Sequence, residues 1–180
     1  MTENNYPFKW IPVEEELRAR KLKFFPLEDS TEVDMVKSVP GDVFMPKQFA
    51  DIAEKIYNFK LRPDDVWIVT YPKCGTTWTQ VGNKFNKLKH LKNILKEILW
   101  LLTHDLDVAT LSKKQQLETV PFIEFNKIMS ANYFNPEMPQ FMTDPITYAD
   151  NLPTTHRRVI KSHMPLEFLP PKLLDTCKGN

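Results

Sequence analysis

One stretch of this 180-residue chain gathers the residue types that hold an oxyanion. It is Thr70-Tyr71-Pro72-Lys73-Cys74-Gly75-Thr76-Thr77-Trp78. Gly75 lets the backbone approach a ligand closely. Thr76 and Thr77 offer hydroxyl donors, and Lys73 adds a mobile positive charge. A loop of this kind entering a helix also presents unpaired N–H groups and roughly half a positive charge. Together these features suit a phosphate or sulfate ester. The same lysine and threonines can also merely cap a helix; their place directly behind an apolar strand is what favours a ligand. The strict nucleotide-triphosphate pattern, Gly-x-x-x-x-Gly-Lys-Ser/Thr, is absent, because here the lysine precedes the glycine. A thiol phosphatase built on Cys-x5-Arg would need arginine at position 80, where Gln80 stands. Cys74 is therefore read as a small loop residue that contributes its backbone N–H.

The elements that must position this loop can be read around it. Phe49, Ile52, Ala53, Ile56 and Tyr57 form the apolar stripe of an amphipathic helix that starts near Pro46. Arg62-Pro63-Asp64-Asp65 is a turn signal. Val66 to Tyr71 is a continuous, β-branched apolar run, which predicts a parallel strand covered on both faces. A helix is expected from about Thr76. Strand, loop and helix in that order form the front half of a phosphate-binding α/β unit. Arg158-Val159-Ile160-Lys161-Ser162-His163 predicts a second short strand with a polar end, and Leu166 to Leu174 a proline-broken helical segment. Residues 1–45 show little periodicity, with Lys23 to Leu27 read as a short strand or an extended cover. Fifteen prolines against four glycines predict a loop-rich first half.

Composition narrows the class. With 42% hydrophobic and 26% charged residues, the chain reads as one globular domain. A net charge of +1 gives no general field toward nucleic acid or a membrane surface, so an anion must be held by local basic groups. Two cysteines, Cys74 and Cys177, make neither a disulfide framework nor a zinc pattern. The first residues lack a basic segment followed by an apolar one, and Ile98 to Leu102 is too short to span a bilayer. The expected compartment is the cytoplasm.

Tyr71 to Trp78 closely resembles the 5′-phosphosulfate loop of the cytosolic sulfotransferases. The match covers three separate segments in the family's order: Val43 through Trp78, Val120-Pro121-Phe122-Ile123-Glu124-Phe125, and Arg158 through Leu166. Arthropod members are the most similar in flavour. The resemblance implies an α/β fold with a P-loop-type parallel sheet flanked by helices. It implies transfer of a sulfuryl group from 3′-phosphoadenosine-5′-phosphosulfate (PAPS) to a hydroxyl or amine, without a metal. Lys73 would touch the bridging and leaving oxygens. Cys74, Gly75, Thr76 and Thr77 would bind the 5′-phosphate, and Trp78 would stack on the adenine. Lys161 would neutralise charge on the transferring group, and His163 would be the general base. Phe122 and Phe125 match positions lining an acceptor pocket; the other reading is core packing, which for Phe125 is equally good. The implied acceptor is a small phenol, steroid or other apolar alcohol. A homodimer is possible in the full-length form; nucleic-acid and membrane partners are not expected.

Two departures from the family pattern stand out. Residues 81–96, rich in lysine and asparagine, separate Gln80 from Glu97-Ile98-Leu99-Trp100 and read as an insertion. Residues 1–180 read as the N-terminal part of a single domain, cut after its first core strands, with the C-terminal half absent. Gly-Asn at 82–83 and again at 179–180 fits translated intron starts. On this reading the fragment is weakly active or inactive. The competing readings are a P-loop nucleotide phosphotransferase and a non-catalytic nucleotide-binding remnant.

Overall fold

The computed structural model describes residues 6–17, 35–71, 94–128 and 133–177. The chain divides into two units, Met1–Asn58 and Phe59–Asn180.

In the first unit, strands Lys9–Pro12 (β1), Met35–Val39 (β2) and Phe44–Pro46 (β3) form an antiparallel sheet in the order β1-β2-β3. Trp10 lies opposite Ser38, and Val36 opposite Met45. The period-2 alternation of β2 buries Val36 and Ser38 together on one face. The β2–β3 turn uses left-handed backbone at Gly41 (φ 109°) and Asp42 (φ 53°), and Val43 N–H donates to Ser38 Oγ at 3.1 Å. This sheet is where structure exceeds the expectation of a loop-rich start. Pro-Gly-Asp between two short apolar runs was the available signal. Residues 23–27 lie outside the described residues. Helix Lys47–Tyr57 (α1) follows as expected, with Ile52, Ala53 and Ile56 of its predicted stripe buried.

The second unit is built on two parallel strands, Val66–Val69 (β4) and Val159–Ser162 (β5). On the far side of β5, Lys161 N–H donates to Pro121 carbonyl at 2.9 Å and Ile123 N–H to Lys161 carbonyl at 3.2 Å. Residues 121–123 therefore continue the sheet beyond β5, and all four β5 residues are buried. The predicted strand at 66–71 forms over its first four residues. It is less covered than its apolar run implied: Val69 is 37% exposed. Among the described residues β4 pairs with β5 alone.

Helix Ile94–Thr103 (α2) lies on this sheet, with Trp100 packed among Ile68, Val120 and Val159. Short helices follow at Val108–Leu111 (α3), Gln116–Thr119 (α4), Phe125–Ile128 (α5), Gln140–Thr143 (α6) and Pro145–Asp150 (α7). Asp107 and Asp144 start α3 and α7 by accepting a backbone N–H with their side chains. The proline-broken segment appears as a 3-10 turn at Leu166–Phe168 and a helix at Leu173–Thr176 (α8). Among the described residues no helix is long and apolar enough to cross a membrane.

The two strands are pinned at their starts. Arg158 Nε donates to Asp65 Oδ1 at 2.7 Å and Nη2 to Asp65 Oδ2 at 2.6 Å, with both side chains 1% exposed or less. The guanidinium also donates to the Ala149 and Lys60 carbonyls at 3.1 and 2.9 Å. Removing one partner strands a buried charge, at a cost of about 3–5 kcal/mol. Asp65→Ala is therefore expected to lower unfolding free energy by that amount, measured by urea titration, and to cost more than Lys114→Ala, which breaks the partly exposed pair with Glu118.

Candidate active site at the end of the parallel sheet

The register that sets Val69 opposite Ser162 brings the next residues, Thr70 and His163, together where both strands end. His163 Nδ1 lies 2.6 Å from the Thr70 carbonyl oxygen and 3.3 Å from Thr70 Oγ1. A carbonyl can only accept, so Nδ1 carries the hydrogen and Nε2 keeps the free lone pair. That tautomer is the one a base acting through Nε2 requires. The ring meets Phe122 edge to face, centroids 4.9 Å apart. Burial pushes the imidazole pKa below its usual 6.5; the hydrogen bond to Thr70 opposes this, and the charges of Lys161 and Lys96 add to it. His163 is therefore neutral near pH 7.

Side chains alternate across the sheet. Val159 and Lys161 share the face covered by α2, as do Ile68, Val120 and Phe122. Lys161 is 3% exposed, and its Nζ sits 4.0 Å from the Phe122 ring centroid. A cation over a ring face is attracted by the ring quadrupole. Burial lowers the lysine's pKa, and the nearby Glu124 raises it.

Ile160 and Ser162 point to the opposite face, where Glu124 holds the strand end. Its Oε1 accepts from the Ser162 hydroxyl and from the backbone N–H of His163 and Met164, both at 3.2 Å. Met164 N–H also donates to Ser162 Oγ at 3.0 Å. The three-residue turn that presents His163 is thus fastened by one carboxyl group. Glu124 Oε2 has no hydrogen-bond partner, and complete burial raises the carboxyl pKa from 4.5 to about 7.

Lys161, His163 and Phe122 are brought together. Phe125 is not part of this group: it opens α5 and meets Tyr133 and Phe134 edge to face, at 6.5 and 6.3 Å. Lys73, Cys74, Gly75, Thr76, Thr77 and Trp78 lie outside the described residues, as do residues 81–93 of the expected insertion. Thr70, Glu124 and Lys96 carry no role of their own in the sequence reading. Glu124 could have been, since a carboxylate within Val120-Pro121-Phe122-Ile123-Glu124-Phe125 must be buried and therefore bonded. His104 is half-buried and stacks on Trp100 at 4.1 Å, with His156 stacked beyond it at 4.9 Å. These histidines border a cavity of about 390 Å³ that Asp105, Asp107 and Glu118 share with Lys114 and Arg157. Its mixed charge does not select an oxyanion. Among the described residues no cluster of His, Cys, Asp and Glu could hold a metal ion.

The raised pKa of Glu124 has a thermodynamic consequence. Between pH 4.5 and about 7 the folded chain keeps a proton that the unfolded chain has released. Stability from this group is complete below pH 4.5 and declines as pH rises to about 7, by roughly 3 kcal/mol. Glu124→Gln is expected to remove that part of the slope, read from urea unfolding at a series of pH values. An unchanged slope counts against the assignment.

The Sulfotransferase domain family model matches residues 63–82 and 92–178. Sulfotransferase 1A1 of Canis lupus familiaris is 33% identical over 140 residues, covering 78% of this chain and 36% of the dog protein. Luciferin sulfotransferase of Photinus pyralis is 28% identical over 132 residues, covering 71% of this chain and 30% of the firefly protein. The crystal structure of retinol dehydratase in complex with retinol and PAP superimposes with a TM-score of 0.66 at 22% identity, over 96% of this chain and 50% of the other. The same fold is thus present, and the chain spans about a third of the length of these curated relatives and half of the solved one. With more than half of its residues matched by the family model, this chain belongs to the sulfotransferase family.

Proposed function

We propose that these residues form the acceptor-activating part of a sulfotransferase that moves a sulfuryl group from PAPS to the hydroxyl, or amine, of a small acceptor. The observation that carries the reading is the His163 hydrogen bond to the Thr70 carbonyl, which leaves Nε2 free beside Lys161 and Phe122. In this reading Nε2 takes the acceptor proton as the acceptor oxygen bonds to sulfur. The bond from sulfur to the phosphate oxygen breaks. Charge then builds on the sulfuryl oxygens and the leaving phosphate, and Lys161 offsets it. Sulfuryl transfer of this kind resembles loose phosphoryl transfer, where positioning and charge stabilisation dominate.

The site residues fit such a substrate. Lys161 is a buried cation with no ion-pair partner among the described residues, and an anionic group supplies one. Lys73, Cys74, Gly75, Thr76, Thr77 and Trp78 are proposed to hold its 5′-phosphate and adenine, on the family resemblance. The apolar faces of Phe122 and Phe125 support a phenol or other apolar alcohol as acceptor. Androsterone and retinol, bound in solved structures of the same fold, are of that kind. A cytoplasmic setting and a homodimer of the longer form belong to the same proposal.

The test is sulfuryl transfer from labelled PAPS to a panel of phenols and sterols, using this chain completed with a family C-terminal half. His163→Ala is expected to lower kcat by about 10²–10⁴-fold, the usual range for losing a general base. The acidic limb of the wild-type pH profile is expected below pH 6.5, because the His163 pKa is lowered. Full activity of His163→Ala would overturn the base assignment. For the 180 residues alone, calorimetry is expected to show PAPS binding weaker than micromolar, since they span half of the solved relative.

A further inference from the structure

Two contacts define the direction in which helix α2 crosses the sheet. Trp100 packs with Val159. His104, one turn later, stacks with His156, three residues before Val159. Lys96, one turn earlier than Trp100, has its pKa lowered by burial and then by the nearby charge of Lys161, and its own charge adds to the lowering of His163. Lys96, Trp100 and His104 are spaced i, i+4, i+8 and form one stripe. The stripe runs along β5 from its last residues toward its first, so the helix is antiparallel to the strand. Lys96 therefore stands over the sheet end that carries Lys161, on the same face.

This placement is costly as it stands. Lys96 is 4% exposed and Lys161 is 3% exposed. Among the described residues neither has an ion-pair partner. Two ammonium groups taken out of water beside each other repel, and among the described residues that face offers only the Phe122 ring to Lys161 against this. The carboxyl nearest to Lys161, Glu124, is fastened on the other face and is largely protonated below pH 7. The remaining side chains on the α2 face of the sheet are apolar: Val66, Ile68, Val120, Phe122 and Val159. A tetrahedral oxyanion seated between the lysines would convert the repulsion into two charge-assisted hydrogen bonds.

We propose that Lys96 and Lys161 together clamp a sulfate- or phosphate-type oxyanion at the end of the parallel sheet, making Lys96 an anion-binding residue of the site. The proposal deepens the sulfotransferase reading and rests on it: the oxyanion is the phosphosulfate end of the donor. It also gives a role to a residue that reads, in sequence, as the last position of an insertion.

The 180-residue chain is suited to the test, with adenosine 3′,5′-bisphosphate (PAP) as the probe. In the wild type, amine acylation followed by mass spectrometry across pH reads Lys96 directly and needs no variant. Its midpoint is expected at about 8 without ligand. With PAP the midpoint is expected to rise and the acylation rate to fall. Lys96→Gln is expected to weaken PAP binding by about tenfold or more and Lys96→Arg to retain it. In Lys96→Gln the His163 titration, followed by NMR, is expected to move upward as one neighbouring charge is lost. PAP binding that Lys96→Gln leaves within about twofold of wild type overturns the role of Lys96 and leaves the sulfotransferase reading standing. Failure of millimolar PAP to bind the wild type overturns the clamp, whereas the sulfotransferase reading falls only if the completed chain transfers no sulfuryl group from PAPS. A Lys96 acylation rate that PAP does not change also overturns the proposal.

Discussion

The bidentate pair between Arg158 and Asp65 fixes the frame on which the rest of the second unit depends. Asp65 directly precedes β4 and Arg158 directly precedes β5, so joining them sets the two strands level at their starts. Register propagates without choice from there, because a slip of one residue would exchange the faces of every side chain. Four residues further on, the same register delivers Thr70 to His163. The pair is buried, and its Coulomb gain is largely offset by desolvation. Its value lies in specificity: a misaligned strand leaves a guanidinium and a carboxylate unpaired inside the protein. The additional bonds from Arg158 to the Ala149 and Lys60 carbonyls tie the end of α7 and the approach to β4 to the same point.

A gradient of polarity runs along the sheet away from that pin. Near the strand starts, the α2 face is occupied by Val66, Val159 and Trp100; at the strand ends it is occupied by Lys161, Phe122 and Lys96. Open parallel sheets place their chemistry at the carboxyl ends of the strands, because there the backbone turns away and leaves a crevice. The helix contributes to the same end by running antiparallel to β5. On the other face, Glu124 holds the turn after β5, so that His163 projects from a fastened backbone.

Much of this frame was legible in the sequence. The strands at 66 and 159, the amphipathic helix after Pro46 and the proline-broken segment near 170 each carried a periodic or compositional signal. Lys161 and His163 were singled out by the family resemblance of Arg158 through Leu166; the strand pattern alone marks them only as a polar strand end. What escaped notice was relational. The β1-β2-β3 sheet uses strands of three to five residues, too short for alternation to stand out. Thr70 acts through its backbone carbonyl, which any residue would supply. Glu124 reads as part of an apolar run until its three donors are seen around one oxygen. Lys96 lies in a lysine-rich stretch where nothing distinguishes it from its neighbours except its distance of one turn from Trp100.

The two kinds of perturbed group at the strand end are coupled by one electrostatic arrangement. Burial and the two lysines hold His163 neutral, and burial holds Glu124 partly protonated. These shifts reverse the order in which a carboxyl and an imidazole ordinarily lose their protons. On the proposed reading, the lysines have opposite effects before and after the donor arrives. Without an anion they depress the imidazole, so it stays unprotonated and ready. An oxyanion between them cancels part of their field, so the same imidazole becomes a stronger base only when the group to be transferred is in place. The Thr70 carbonyl keeps Nδ1–H engaged throughout, so the gain in basicity falls on Nε2. Base strength and donor occupancy are then linked through the charges of Lys96 and Lys161, with no movement of the backbone required.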